Sequence, residues 1–177
     1  IEMVVKLTAD HGPAVSGAHN CIVTARAGRD LMSAVASGIL TIGPRFGGAV
    51  AGAAVAFKGA RDAKLTPAQF VDSMKKKDQN IQGIGHLIKS LRNPDMRVVL
   101  LKKYAAANFP KTPLLEYALE VEQLTTKKKD TLILNVDGAI GILFLDMMAS
   151  GGEIFSEQEK AEIIEFGILD GLFMLGR

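Results

Sequence analysis

The sequence predicts an all-α fold of about seven or eight helices. Several positions carry the signature of a helix start, and apolar residues recur between them at the spacing of one helix face. Only the run from Thr131 to Val136 has a β-like composition, and one short run is not enough to build a sheet. We therefore expect helices packed on helices, with little or no sheet.

The first clear helix start is Asp30. An aspartate side chain accepts hydrogen bonds from the free N–H groups of a first helical turn, and the residues after Asp30 are apolar at helical spacing. Glycine is common just beyond a helix end, so Gly43 is expected to end this helix. The sequence thus predicts a helix from Leu31 to Ile42.

Later helix starts combine a capping side chain with glutamine, glutamate or proline. A Ser or Thr followed three residues later by Gln or Glu can form a reciprocal capping box, and proline is favoured at the first helical position. The predicted starts of this kind are the capping boxes Thr66 with Gln69 and Ser156 with Glu159, and the pairs Asn93-Pro94 and Thr112-Pro113.

The composition is that of a globular domain that has no strong electrostatic field. The chain has 177 residues, 48% of them hydrophobic, and a net charge of +2, which gives nucleic acid no general basic surface. The single Cys21 excludes an internal disulfide and fits a reducing compartment such as the cytoplasm. Of the two long apolar stretches, Leu31–Phe57 is broken by Pro44 and Arg45 and Leu132–Met148 contains acidic residues, so we expect no membrane span.

Both ends of the sequence resemble cut edges. The segment from Ile1 to Leu7 begins in helical apolar register without a capping residue, and the segment from Gly171 to Arg177 stops within an apolar run. We expect the chain to be a piece of a longer polypeptide.

Three helix breaks carry residues that can transfer protons. His11 precedes Gly12-Pro13, His86 follows the glycine-rich turn from Gly83, and Asp137 precedes a glycine. Each signal alone also has a structural interpretation: a histidine beside glycine is often a turn or core residue, and Asp137 suits a helix cap. A lysine run such as 127–129 is usually a solvated face.

Five ordered blocks resemble the citryl-CoA lyase module of the ATP-citrate lyases, a branch of the citrate synthase superfamily. They are Ala9–Asn20, Leu40–Ala49, Gly83–His86 with Asn93–Arg97, Tyr117–Glu122, and Leu132–Gly138. The resemblance implies an all-α citrate synthase-like fold with a large helical domain and a smaller mobile one. The large domain would comprise residues 1–49 and 150–177, and the small domain residues 50–149.

The resemblance also implies a reaction and its participants. The reaction is the retro-Claisen cleavage of citryl-CoA to acetyl-CoA and oxaloacetate, with coenzyme A as a substrate or product and no prosthetic group or metal. ATP and Mg²⁺ would act only in a separate ligase part, either fused or a second subunit, which makes the overall reaction the ATP- and CoA-dependent cleavage of citrate. A homo-oligomer, dimer or tetramer, is also implied.

Individual positions match the functional residues of that module. His86 is expected to take the proton of the citryl hydroxyl, and Asp137 is expected to protonate the departing enolate. An apolar approach of neighbouring residues would favour the neutral, proton-donating form of Asp137. The matched positions are His86, Asp137 and His11 for catalysis, His11, Arg97, Arg177 and Phe46 for citrate or oxaloacetate, and Gly83, Gly85, Lys89 and Lys129 for coenzyme A.

Two positions bear on the alternative functions. Citrate synthases carry a catalytic histidine where this chain has Phe46, which argues against plain citrate synthase activity. Leu87 stands where the lyase branch usually has arginine, and it offers no hydrogen-bond donor. A non-catalytic, oligomer-forming subunit of the same fold is therefore the second hypothesis.

Overall fold

The protein is described by a computed structural model that covers residues 1–9, 12–43, 48–151 and 154–176. Ten α-helices and no strand occur within these residues, so the predicted all-α class is confirmed. None of the described helices is long and apolar enough to cross a membrane. The helices are α1 (Glu2–Thr8), α2 (Ser16–Arg26), α3 (Leu31–Ile39), α4 (Val50–Asp62), α5 (Pro67–Lys76), α6 (Met96–Asn108), α7 (Pro113–Thr126), α8 (Val136–Ser150), α9 (Glu157–Glu165) and α10 (Ile168–Gly176).

Helix α8 lies at the centre of the core. Its residues are apolar on every side, which is the pattern of a helix surrounded by others, and α4, α6, α7 and α10 pack around it. Glycine permits the closest of these contacts: a Cβ atom on Gly141 would lie 2.5 Å from the backbone oxygen of Val50 in α4. The position of α8 matters for function because its first turn carries Asp137.

The core also includes an aromatic cluster and part of the C-terminal helix. Phe57 meets Phe70 and Tyr117 edge-on, with ring centroids 5.4 Å and 6.4 Å apart. Leu169 and Phe173 of α10 are buried in the same core, against α4 and α8. The predicted division into a large and a small domain stays a prediction.

Three of the capping predictions are confirmed. Thr66 and Ser156 each form the predicted capping box, and the Asp30 side chain accepts the N–H of Ser33. However, α3 ends at Ile39 rather than Ile42. The Thr41 hydroxyl donates to the Gly38 carbonyl at 2.7 Å, a side-chain bond that competes with another helical turn.

The predicted cap at Asn93 is wrong. Helix α6 begins at Met96, and its cap is Asp95, which accepts the N–H of Arg97. Asn93 instead exchanges two backbone hydrogen bonds with Ser90, which keeps it within the preceding loop.

Two helices are capped by aspartates from other helices. Thr112 precedes α7 as predicted but makes no side-chain cap, because Asp146 of α8 accepts the N–H groups of Leu114 and Leu115 at 3.0 and 2.9 Å. Burial raises the pKa of Asp146, which is only 2% exposed, and these two hydrogen bonds oppose that shift. Asp170 of α10 serves α4 in the same way, at 3.1 Å from two N–H groups.

Helices α2 and α3 form a hairpin that packs mainly on itself. The Thr24 and Ser37 hydroxyls share a hydrogen bond of 2.8 Å across the pair, and the side chain of Cys21 fits against Gly38. Several large apolar side chains of the hairpin are exposed, and we refer to them together as the α2–α3 apolar face. Its residues are Ile22, Val23, Leu31, Met32, Val35, Ile39 and Leu40.

Candidate active site

The site is built on a pairing between the loop that begins at Gly83 and the segment 131–135. That segment is the predicted β-like run, but it meets its neighbour in only one isolated bridge, between Ile84 and Leu134, so no sheet forms there. The pairing consists of backbone hydrogen bonds from Gly85 N to Ile133 O (2.7 Å), from His86 N to Thr131 O (2.9 Å) and from Asn135 N to Gly83 O (2.9 Å), with the Asn135 side chain donating to Gly85 O (3.0 Å).

Glycine is required at this junction for two reasons. Gly83 and Gly85 have φ of +87° and +109°, a region that side chains disfavour. In addition, a Cβ atom on Gly138, in the first turn of α8, would lie 2.6 Å from the Gly83 oxygen. The loop that carries His86 therefore rests directly on the helix start that carries Asp137.

His86 is held in a defined tautomer by its own loop. Its Nδ1 atom accepts the backbone N–H groups of Ile88 and Lys89 at 3.0 and 2.9 Å. A nitrogen that accepts two donors carries no proton, so the neutral ring carries its proton on Nε2 and donates from there. In this tautomer Nε2 offers a hydrogen, and the base role expected for His86 stays a prediction.

The surroundings of His86 also favour the neutral ring. Burial is the largest cause that lowers the pKa of His86 below its usual value. The negative charge of Asp95 opposes this shift, and the positive charges of Arg97 and Lys89 add to it. Near neutral pH, His86 is thus an uncharged hydrogen-bond donor.

Asp137 is not the cap of its helix. It is the second residue of α8, and the cap is Asn135, whose side-chain oxygen accepts the N–H of Gly138 at 3.0 Å. The structural interpretation of Asp137 as a cap is therefore excluded. Ile133, Leu134 and Val136 beside it are buried, as the sequence suggests, and Asp137 itself is half-buried.

His86 and Asp137 line one cavity of about 920 Å³. Gly83, Gly85 and Lys129 line the same cavity, so five of the predicted site residues come together there. Lys129 is exposed like the rest of its lysine run, and its role in binding coenzyme A stays a prediction. Sequence reasoning missed the amide residues that also line the cavity, which are Gln79, Asn80, Gln82 and Asn135. The first three cluster just before the Gly83 turn, which was a usable signal.

Two predicted ligand residues do not line this cavity. The backbone of Lys89 supports the His86 ring. The guanidinium of Arg97 forms a two-point ion pair with the buried Asp95. Nε donates to Oδ1 at 3.0 Å, and Nη2 donates to Oδ2 at 2.7 Å. Burial tends to raise the pKa of Asp95, but the hydrogen bonds and charge of Arg97 outweigh this and lower it. A role of Arg97 in binding a substrate carboxylate stays a prediction.

The remaining predicted residues are His11, Phe46 and Arg177, and all three lie outside the described residues. Leu87 lines the cavity and is 99% exposed, so its side chain contacts almost nothing within the chain. No group of histidine, cysteine and acidic side chains able to hold a metal ion was found among the described residues.

Comparison with known families decides the relationship. The profile of the citrate synthase C-terminal domain matches residues 1–150. The chain belongs to the citrate synthase family. Within that family, it is 58% identical over 177 residues to human ATP-citrate synthase and 60% identical to ATP-citrate synthase beta chain protein 1 of Oryza sativa. Both alignments cover the whole of this chain. The chain spans only 16% of the length of the human protein and 29% of the length of the rice protein.

Solved structures agree with the sequence comparison. The chain superposes with a TM-score of 0.95 and 62% identity on ATP citrate lyase from Methanothrix soehngenii, which was solved in complex with citrate and coenzyme A. The alignment covers 99% of this chain and 28% of that one. ATP citrate lyase from Methanosaeta concilii, in complex with (3S)-citryl-CoA, gives a TM-score of 0.92, 62% identity and the same two coverages. The predicted resemblance to the citryl-CoA lyase module and the citrate synthase-like fold are both confirmed.

Proposed function

We propose that this chain is the citryl-CoA lyase module of an ATP-citrate lyase and cleaves citryl-CoA to acetyl-CoA and oxaloacetate. The observation that carries the proposal is that His86 and Asp137 line one cavity and are anchored to one backbone segment. The similarity to lyases solved with citrate, coenzyme A and citryl-CoA supports these ligands for this chain as well.

In the proposed reaction, the bond between the thioester α-carbon and the hydroxyl-bearing carbon breaks. Its electron pair forms the enolate of acetyl-CoA, while the C–O–H group loses its proton to solvent and becomes the oxaloacetate carbonyl. Asp137 gives a proton to the enolate carbon and so completes the methyl group of acetyl-CoA. General acid catalysis of this kind contributes about 10²–10⁴-fold.

We assign His86 a hydrogen bond from Nε2 to the oxygen that becomes the oxaloacetate carbonyl. This role follows from the two donors on Nδ1, which leave Nε2–H as the group available to a substrate. A donor aimed at an oxygen whose charge changes during the reaction stabilises the transition state without itself changing protonation.

The ligand sites follow from the cavity and the resemblance. Lys129, Gly83 and Gly85 line the cavity, where a cation and a close-approach backbone suit the phosphates and thioester arm of coenzyme A. His11, Phe46, Arg97 and Arg177 are proposed for citrate and oxaloacetate. Activation of citrate by ATP and Mg²⁺ is assigned to the separate ligase part of the parent enzyme.

We also propose that the parent protein is a homo-oligomer. The α2–α3 apolar face supports this, because large apolar side chains exposed together on this part of the chain are suited to a protein interface. The cytoplasm is the proposed compartment, in keeping with the single Cys21.

The test is to supply citryl-CoA to the full-length parent protein and to measure oxaloacetate release. Wild-type protein should turn over, and Asp137→Asn should lower kcat by about 10²–10⁴-fold while coenzyme A still binds. An assembled, CoA-binding wild-type protein without turnover would instead support the non-catalytic subunit. Rapid citrate formation from acetyl-CoA and oxaloacetate would favour citrate synthase.

A further inference from the structure

The segment 131–135 is hydrogen-bonded along both of its edges. One edge faces the His86 loop and makes the backbone pairing described above. The other edge pairs with no strand among the described residues, and two side chains of α7 bond to it instead. Glu122 Oε1 accepts the N–H of Leu134 at 2.7 Å. The Thr125 hydroxyl donates to the Leu132 oxygen at 2.7 Å. Backbone groups of the segment alternate between the two edges, as they do in a β-strand.

The bond to Glu122 has no simple substitute. Leu134 is 1% exposed with the carboxylate in place, so removal of the carboxylate would deprive a buried N–H of its partner. Thr125 is also buried, and the Leu132 oxygen is its shortest contact, at 2.7 Å against 3.1 and 3.2 Å to carbonyls of its own helix. The two side chains therefore fix the height and register of the segment above α7.

Both proposed catalytic groups depend on that register. The His86 loop is bonded to the opposite edge of the segment, and Asp137 follows two residues after its end. A shift of Leu134 would move the oxygen of Ile133, which holds the loop, and the cap residue Asn135, which starts α8.

We propose that Glu122, assisted by Thr125, is a positioning residue of the active site that sets the distance between His86 and Asp137 from the far side of the shared segment. The inference rests on the proposed lyase function. Glu122 does not line the cavity, so its effect on the reaction passes through the segment and not through the substrate.

The decisive experiment compares Glu122→Gln with Glu122→Ala in the full-length protein. Gln keeps a carbonyl oxygen at the same reach and should retain kcat within about threefold, whereas Ala should lower kcat by about 10–100-fold. KM for citryl-CoA should stay within about threefold in both, because no ligand contact is lost. Thr125→Val, which removes only the hydroxyl, should show a smaller loss of kcat.

Glu120→Ala is the matched control. It removes a carboxylate from the same helix, but Glu120 is exposed, and its kcat should equal that of wild type. A kcat for Glu122→Ala, per folded active site, equal to that of Glu120→Ala would overturn the proposal. So would equal losses in Glu122→Gln and Glu122→Ala, because they would point to the charge and not to the hydrogen bond.

Backbone amide exchange separates this inference from the lyase proposal. The amides of Gly85 and His86 lie on the opposite edge of the segment, so Glu122→Ala should speed their exchange by at least tenfold, while Glu122→Gln should not. Unchanged exchange in Glu122→Ala would overturn the positioning role even if the enzyme is active. Faster exchange in a protein whose wild type releases no oxaloacetate would keep the positioning role and reject the lyase function.

Discussion

At the scale of single residues, His86 illustrates how a loop backbone can select the chemistry of a side chain. The N–H groups of Ile88 and Lys89 both point at Nδ1, and a proton on that atom would face two donors. Burial acts in the same direction by disfavouring the charged ring. The residue type permits acid, base or donor roles, and the local geometry favours the proposed donor role.

The first prediction distinguishes a donor from a base. His86→Gln places an amide N–H near the position of Nε2 but cannot accept a proton, so it should retain about tenfold more activity than His86→Ala. Steady-state rates of citryl-CoA cleavage by the two full-length variants would measure this. Equal activities in Gln and Ala would restore the base role.

The second prediction concerns the pH dependence of the reaction. Because the folded pKa of His86 is lowered below 6.5, the neutral ring persists as the pH falls through 6.5, and its protonation begins only at lower pH. The acid limb of kcat/KM that disappears in His86→Gln should therefore have its midpoint below pH 6.5. A midpoint above 6.5 would contradict the assignment.

At the scale of elements, two glycines determine how closely the His86 loop approaches α8. Gly83 and Gly138 meet without side chains between them, and Ala53 of α4 closes the third side: a Cβ atom on Gly83 would lie 2.9 Å from its methyl group. The contact leaves no room for a methyl group on either glycine, because rigid backbone lies on both sides.

The third prediction follows from this contact. Gly138→Ala should lower kcat by at least about tenfold, because the new methyl group displaces the His86 loop from α8. Gly59→Ala is the control: Gly59 is inside α4 with no atom within 4 Å of a new Cβ, and this change should stabilise the protein by roughly 0.5–1 kcal/mol. Thermal unfolding and kcat of both variants are the measurements, and wild-type kcat in Gly138→Ala would contradict the explanation.

Among the helix caps, those with local partners could be predicted from the sequence and those with distant partners could not. The caps at Thr66 and Ser156 were predictable because each partner is three residues away. The caps from Asp146 and Asp170 were not, since their partners are 31 or 32 and 119 or 120 positions away along the chain. Local chemistry indicates where helices start, but tertiary packing decides which side chain satisfies them.

The candidate site also combines residues that local sequence marks with contacts that depend on tertiary packing. That His86 and Asp137 line one cavity could be expected, because each stands beside a glycine at a helix break and the motif resemblance joined them. The contribution of Glu122 could not be expected, because nothing local distinguishes a glutamate that meets the N–H of Leu134 from one on a solvated helix face. The tautomer of His86 likewise depends on a loop conformation that sequence patterns do not specify.

At the scale of the whole molecule, the α2–α3 apolar face is an exposed feature of the described residues that has no function in the proposed chemistry. Leu31, Met32 and Val35 recur on one side of α3, and all are exposed. Its position on a hairpin that packs mainly on itself suits an interface between copies of the protein.

The fourth prediction tests that interface. Val35→Glu should dissociate the proposed homo-oligomer of the full-length protein, because a charge buried in an apolar interface is costly. Leu100→Glu on α6 is the control, since Leu100 is 39% exposed and Val35 is 43% exposed. Light scattering after size-exclusion chromatography gives the masses, and an unchanged mass for Val35→Glu would place the interface elsewhere.

The shared anchoring of His86 and Asp137 has a consequence for the timing of catalysis. Because one backbone segment holds both groups, a movement of the proposed small domain would carry them as a rigid pair and leave their spacing unchanged. The proposed catalytic geometry is therefore preorganised. The conformational entropy of ordering these two residues is lost when the protein folds, and it is not lost again in each turnover. Closure of the proposed small domain would then govern when the substrate is enclosed, and a slow closing step would limit the rate of the proposed reaction without altering its chemistry.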